Sequence, residues 1–449
     1  MPAFKTGKYS PYYFFLFWPI YVFYKLYHRK LTVVGREHIP TEKPFIFASN
    51  HQNALMDAFT VLFAYKGMVV YMTRADLFRK KWLNAFLRSI SMLPVYRMRD
   101  GISSMGQNDD TFTEATELLR RGIPIGIFPE GNHAGFKRLR PLKKGVCRIA
   151  FMAEETAGFN LDLHIIPAGI DYSSYSGPGN QVLVQYGRPI RIADFIPQYR
   201  DNPQKALTAL RDALTDALKP LMIHISTEDD YDTYRQICAL YRSEIIDSRG
   251  LRDTQLNRFH TDKEIIAGLE NSVKPARVFG EIKNTEDRYR KLLEKYYLND
   301  LQVRKGKINI PGLILESFLS LVLLPFYLYG LLLNYLPYIL PERFTRSVKD
   351  QVFHGSIHFG IRMFLFPLYH LVLLFIFSLF IKTLLLRFLF VISLPITGMI
   401  TFYYYRQLLN LLGKFRFLRL KLTQRSAFDK LIAERLQLIR LISDFLNVS

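Results

Sequence analysis

The chain holds only two cysteines, Cys147 and Cys238, in 449 residues. That is too few and too scattered for a disulfide framework or a zinc cluster, and it suits a reducing, cytosol-facing location. Acidic residues are also scarce: 39 Asp and Glu stand against 60 Lys and Arg, a formal charge of +21. So basic a balance implies an anionic partner, which nucleic acid, anionic lipid headgroups or phosphorylated substrates would each satisfy. No helix-turn-helix, zinc or RNA-binding motif is evident, so a nucleic-acid role is disfavoured. No small-residue cleavage site follows the N-terminal apolar run, which argues against a secretory signal.

Apolar surface is abundant. Hydrophobic residues make up 49% of the chain and aromatics 14%, with 36 Phe and 27 Tyr, a composition that points to lipid. Residues Pro11 to Tyr24 are uncharged but short of the ~20 residues a spanning helix needs, so they read as an interfacial anchor or tilted helix. Three later stretches, Ser317 to Pro341, Met363 to Ile381 and Phe388 to Tyr405, run without charge for lengths near the ~20 residues of a bilayer segment. Pro325, Gly330 and Pro337 interrupt the first, which favours a re-entrant hairpin there, while Lys382 and Arg387 bracket a turn between the other two. Two hairpins would leave Arg343, Arg346, Lys349, Arg362 and the basic tail on one side, the cytoplasmic side by the positive-inside rule.

Between these ends the pattern is α/β. LTVVG, PFIFAS, GMVVYMT, IPIGIF, LHIIPAGI and QVLVQYG read as six strands, with helices over Ala54 to Tyr65, Lys80 to Ser91, Asp110 to Arg121 and Gly145 to Thr156. A closed, mixed sheet is expected. The resulting division is an N-terminal membrane-associated segment (1–30), a catalytic domain (31–222), a helical connector (223–310), membrane segments (311–405) and a basic amphipathic tail (406–449). The tail either lies on anionic lipid or packs against the protein.

Two stretches carry chemistry. In PFIFASNHQNALMDAF a strand ends and a helix begins around Asn50, His51 and Asp57. Transfer of an acyl group to an alcohol needs a base for the hydroxyl proton; histidine as a residue type titrates near neutrality, and Asp57 can fix the tautomer of His51. In GIFPEGNHAGFKRLRPLKKG, Pro129 and Gly131 force a turn that holds Glu130, a potential acceptor for a polyol hydroxyl. Lys137, Arg138, Arg140, Lys143 and Lys144 follow, able to neutralise phosphate.

These blocks resemble the glycerol-phosphate and lysophosphatidic acid acyltransferase family, in order and in spacing, from about Leu31 to Ile190. Asn50-His51 with Asp57 looks like the family's His-x-x-x-x-Asp block, and LPVYRMRD looks like its second block, with Arg97 as the residue that helps hold the acceptor phosphate. Phe128-Pro129-Glu130-Gly131 matches the third block, and Ile166-Pro167-Ala168-Gly169 looks like the fourth, a strand lining the acyl site. There are departures: five residues instead of four separate His51 from Asp57, and Asn132-His133 stand where Thr-Arg is common. Asn53, Pro129 and His133 are therefore secondary candidates.

The resemblance implies an acyltransferase using an acyl-CoA or acyl-carrier-protein thioester as co-substrate, with no cofactor, no metal and no acyl-enzyme. A glycerol-phosphate-type acceptor and membrane lipid would be its partners. Backbone amides near the His51 turn are expected to stabilise the oxyanion. Lysophosphatidate is the preferred acceptor and glycerol 3-phosphate the alternative; a phospholipid transacylase and a non-catalytic lipid-binding membrane protein are the other readings.

Overall fold

The computed structural model describes residues 11–90, 92–95, 107–272, 276–304, 306 and 308–446. It divides into two compact units, the first comprising Met1–Ile225 with Thr254–Phe259 and Val348–Phe359, the second the remainder.

The first unit begins with helix α1 (Pro11–Tyr27), which leads directly into strand β1 (His28–Val34). The order continues β2 (Phe45–Ser49), α2 (Leu55–Tyr65), β3 (Val70–Arg74), α3 (Lys81–Ser89), β4 (Met92–Val95), α4 (Gln107–Arg120), β5 (Ile125–Ile127) and α5 (Gly145–Thr156). It ends with β6 (His164–Tyr172), β7 (Asn180–Tyr186), β8 (Ile190–Arg191), α6 (Ile196–Asp201) and α7 (Pro203–Leu218). One sheet runs β1-β7-β6-β2-β5-β3-β4, with β8 beside β6. It is mixed, since β6 pairs antiparallel with β7 and β8 while the other pairings are parallel.

The sheet is open, with β1 and β4 at its edges, instead of closed. Eight strands replace the six expected. The two extra ones are too short for a periodic signal: β4 is the four-residue MLPV, carrying a proline, and β8 has two residues.

Alternation along the strands decides which residues meet which layer. In β2, Ile46 and Ala48 join Val146, Ile149 and Ala150 of α5 and Leu207, Leu210 and Leu214 of α7 in the main core. Phe45 and Phe47 instead meet Tyr65 at the end of α2. On α1, Phe17 and Tyr24 are buried while Phe15, Trp18, Val22 and Leu26 are exposed at helical spacing.

The second unit is helical: α8 (Tyr231–Ser248), α9 (Gln255–Glu270), α10 (Ala276–Lys295), α11 (Asp300–Arg304), α12 (Ile310–Thr345), α13 (Val352–Phe380), α14 (Leu384–Thr423) and α15 (Arg425–Leu446). The first residues of α9 and α13 cluster with the first unit. Helices α12, α13 and α14 are long and apolar enough to cross a membrane, which marks the chain as membrane-associated.

The hairpin expected around Pro325, Gly330 and Pro337 does not form: α12 is one helix of 36 residues with Pro325, Pro337 and Pro341 inside it. Each proline removes a single N–H, a loss that an apolar helix with close neighbours absorbs. Gly330 is such a neighbour contact, because a Cβ there would stand 2.5 Å from the Thr397 carbonyl oxygen of α14. Helix α12 replaces one of the two expected hairpins, whereas α13 and α14 meet at residues 381–383, close to the turn expected between Lys382 and Arg387.

The separate tail is also corrected. Helix α14 runs through residue 405 to Thr423, and α15 buries Phe428, Leu431, Leu438, Ile442 and Phe445 within the unit. Arg435 of α15 reaches Asp300 at 2.8 Å and Glu244 at 2.7 Å, so packing prevails over lipid contact along this face.

Candidate active site

Strands β2 and β5 are parallel neighbours, with Ala48 level with Ile127. Their carboxyl ends therefore open side by side, the place where parallel sheets present ligand-binding residues. His51 follows the first strand and Glu130 the second.

Asn50 moves the chain off the sheet. Its side-chain amide donates to the Ile170 carbonyl at 3.0 Å and accepts from the Ile170 N–H at 2.7 Å. The side chain thus supplies the rung that a continued β2 would have made with β6, and the backbone is released at His51.

The turn that follows absorbs the extra residue between His51 and Asp57. Ala54 takes φ 44°, a left-handed conformation that costs a residue with a Cβ on the order of 1–3 kcal/mol. The N–H groups of Met56 and Asp57 then close on the carbonyls of Asn53 and Ala54, and Asp57 enters the first turn of α2.

Asp57 Oδ2 lies 2.9 Å from His51 Nδ1. The same oxygen accepts from the backbone N–H of Gln52 at 2.8 Å and of Asn53 at 2.7 Å, while Oδ1 accepts from the Tyr172 hydroxyl at 2.9 Å. Three donors besides His51 surround a fully buried carboxylate, which acts as acceptor toward all of them. A charged acceptor makes Nδ1 the protonated nitrogen and leaves the Nε2 lone pair open, the tautomer a base requires. Nε2 has no hydrogen bond among the described residues.

The imidazole is also held by packing. The Phe128 ring stacks on it at 4.1 Å, the His133 ring meets it edge-on at 5.5 Å, and Tyr71 backs Phe128 at 5.9 Å.

Glu130 is not presented to a ligand. It is buried, with Oε1 accepting from the His51 N–H at 2.9 Å and Oε2 from Arg140 Nε at 2.9 Å. Its carboxyl is raised above the ordinary value, burial outweighing the Arg140 and His51 contacts that oppose it. These contacts tie Glu130 to the His51 turn. Gly131 takes φ 70° and donates to the Phe128 carbonyl, and Pro129 accepts from the Lys143 N–H at 2.7 Å. The Pro-Glu-Gly turn is thereby closed.

The oxyanion expectation also changes, because the N–H groups of His51, Gln52 and Asn53 are all committed to carboxylates.

The basic residues divide. Lys137 pairs with Asp171 at 2.7 Å, Arg140 with Glu130, and Lys144 donates to Thr208 at 2.9 Å, whereas the Lys143 side chain is exposed. Of the expected phosphate ligands, Lys144 is thus tied to α7. Arg97 lies outside the described residues. Asn53 is buried and structural, its amide donating to the Tyr175 carbonyl at 3.1 Å.

His133 is brought to the site by a contact that no local motif announces. Its Nε2 stands 3.5 Å from Asp350, and its ring packs edge-on to Phe353 at 4.4 Å. Burial and the nearby His51 lower its basicity, against the opposing effect of Asp350. Ser356 donates to the Asn53 carbonyl at 3.4 Å, and a Cβ on Gly355 would stand 2.3 Å from the Tyr175 carbonyl oxygen. Residues 348–359 therefore form part of the wall beside His51. Nothing in the sequence linked them to it, more than 200 residues away.

An acyltransferase family model matches residues 30–171. The 1-acyl-sn-glycerol-3-phosphate acyltransferase of Bacillus subtilis is 28% identical over 202 residues, covering 42% of this chain and 86% of that protein. Glycerol-3-phosphate O-acyltransferase 2 of Saccharomyces cerevisiae is 28% identical over 136 residues, 30% of this chain and 18% of its own length. The human 1-acyl-sn-glycerol-3-phosphate acyltransferase alpha is 29% identical over 133 residues, 29% of this chain and 44% of that one. This chain thus spans less than half of the yeast and human relatives. Among solved structures, the 1-acyl-sn-glycerophosphate acyltransferase of Thermotoga maritima aligns with a TM-score of 0.33 and 17% identity, over 46% of this chain and 79% of that one. Residues 30–171 therefore match an acyltransferase domain, and the chain is similar there to 1-acyl-glycerol-3-phosphate and glycerol-3-phosphate acyltransferases.

Proposed function

We propose that this protein transfers an acyl chain from a thioester, acyl-CoA or acyl-carrier protein, to the free hydroxyl of lysophosphatidate in phospholipid synthesis, with His51 as general base. The observation that carries the reading is the 2.9 Å contact between His51 Nδ1 and a buried Asp57 held by three further donors. It leaves Nε2 as the one basic edge of the ring. As the acceptor oxygen attacks the thioester carbonyl, Nε2 takes its proton and Asp57 stabilises the imidazolium. Collapse of the tetrahedral intermediate breaks the C–S bond, and the departing thiolate recovers the proton from His51. The products are an ester and a free thiol, with no cofactor or metal in the proposed sequence.

Lys143, whose side chain is exposed, and Arg97, on the strength of its motif, are the proposed contacts to the acceptor phosphate, and the catalytic domain is proposed to face the cytoplasm. The named yeast relatives favour one second reading, glycerol 3-phosphate as the acceptor.

The test is transfer from labelled acyl-CoA and acyl-carrier protein by the full chain in detergent, with the two acceptors offered in parallel and His51→Ala beside them. Product from lysophosphatidate, abolished in a folded His51→Ala protein, is expected. Product from glycerol 3-phosphate alone selects the second reading, and retention of most of the rate in His51→Ala overturns the base.

A further inference from the structure

Behind Asp57 the hydrogen bonding continues inward. The Tyr172 hydroxyl that donates to Oδ1 lies 2.9 Å from Thr60 Oγ1, and Thr60 Oγ1 lies 2.7 Å from the Tyr24 hydroxyl. Tyr24, Thr60, Tyr172 and Asp57 are all buried, and they come from α1, α2, β6 and the His51 turn's helix end.

Each hydroxyl has one proton to give. The carboxylate has none, so Tyr172 must donate to it; Thr60 must then donate to Tyr172, and Tyr24 to Thr60. The row has a single direction, every O–H pointing toward Asp57, and aligned hydroxyls of this kind polarise one another in a low-dielectric interior. Burial is also the largest reason why both phenols hold their protons more tightly than usual, so they remain donors.

We propose that Tyr24, Thr60 and Tyr172 form a one-way hydrogen-bonded row that fixes the Asp57 carboxylate and, through it, sets the basicity of His51. They are positioning residues, and the inference rests on the reading of His51 as the base. It also draws α1 into the reaction. Tyr24 and Tyr172 both lie outside the stretch 30–171 that the family model matches, so the pair depends on a helix upstream of that stretch.

Removing the last donor leaves the buried charge less satisfied. Asp57 then favours the imidazolium more strongly, and the midpoint at which His51 loses its proton rises. The other groups that bear on the pair are Glu130 through the His51 N–H, Arg140 behind Glu130, His133 at the ring edge and Asp350 behind His133. All four stay in place in the variants.

The experiment uses the full chain in detergent. The rate of diethyl pyrocarbonate modification at His51, read by peptide mass spectrometry, is followed against pH in the parent protein, Tyr172→Phe, Tyr24→Phe and Thr60→Ser. The midpoint is expected to rise by about one pH unit in Tyr172→Phe and by less in Tyr24→Phe. Thr60→Ser, which keeps the hydroxyl, should match the parent. Where turnover is present, the rise of kcat with pH should move upward with the midpoint in Tyr172→Phe, because His51 must be unprotonated to take the acceptor's proton. An unmoved midpoint in both folded Phe variants overturns the proposal. This readout needs no turnover, so a parent protein that transfers no acyl group would sink the acyltransfer reading while the midpoints still decide the row. Tyr24→Phe, the change farthest from the carboxylate, keeps the test open should Tyr172→Phe fail to fold.

Discussion

Two histidine–aspartate pairs stand side by side in the first unit, and they are built differently. His51 and Asp57 lie 2.9 Å apart, with the Asp57 side chain 1% exposed; His133 and Asp350 lie 3.5 Å apart, with the Asp350 side chain 52% exposed. The first carboxylate has three further donors and a hydroxyl row behind it, whereas the second sits in water beside its histidine. A buried, fully satisfied anion holds an imidazole in one tautomer and supports its positive charge; a solvated one is screened and does little of either. Proximity of His to Asp is therefore a poor guide to function, and what surrounds the carboxylate separates a base from a wall residue.

The comparison breaks most sharply at Asp57. Asp57→Asn keeps the shape but turns the charged acceptor of His51 Nδ1–H into a neutral amide able to orient the ring in the wrong tautomer. Turnover should fall by about 10³-fold or more, as loss of the orienting acid does in comparable triads, with the far-ultraviolet circular dichroism unchanged. A rate within about 10-fold of the parent would show that His51 does not need this partner.

Next in size is Gly355, which lets residues 348–359 seat beside the first pair. A methyl there would stand 2.3 Å from the Tyr175 carbonyl oxygen and 2.7 Å from Asn53 Oδ1. Gly355→Ala must push two backbone segments apart, at a cost of about 1–3 kcal/mol. The thermal midpoint should drop and kcat with it. An unchanged midpoint would mean that the segment is not held against Asn53.

Much of the first pair was legible in the sequence. The strand-to-helix junction placed His51 and Asp57, the Pro-Glu-Gly turn placed Glu130, and all six apolar runs named a strand of the sheet within a few residues. These signals are local, set by side-chain periodicity and turn chemistry. The second pair was not legible, because Asp350 reaches His133 through tertiary packing alone. Nor were the contacts of Glu130: its residue type showed an acceptor, but only the fold shows that it meets Arg140 and the His51 N–H. The hairpin expected in α12 failed for a related reason, since proline weakens a helix locally while packing against α14 decides whether it breaks.

The smallest effect belongs to the second pair, and its sign distinguishes a wall residue from an acid–base group. His133 is less basic in the native protein than a free histidine side chain, which titrates near 6.5, chiefly through burial. The unfolded chain therefore binds a proton there more readily than the folded one. Its contribution to stability is complete above the unfolded value and is lost as the pH falls from about 6.5 toward the lower folded one. His133→Asn removes that titration, so the fall in thermal midpoint between about pH 7.5 and pH 5.5 should be shallower than in the parent. Asp350→Asn acts in the opposite direction: without the carboxylate that partly offsets burial, His133 becomes less basic still and the fall steepens. Neither change should lower kcat by more than about 10-fold, below the roughly 10²–10⁴-fold that a proton-transferring side chain contributes. A loss near that of Asp57→Asn in either variant would place the second pair in the chemistry beside the first and erase the distinction drawn from the surroundings of the two carboxylates.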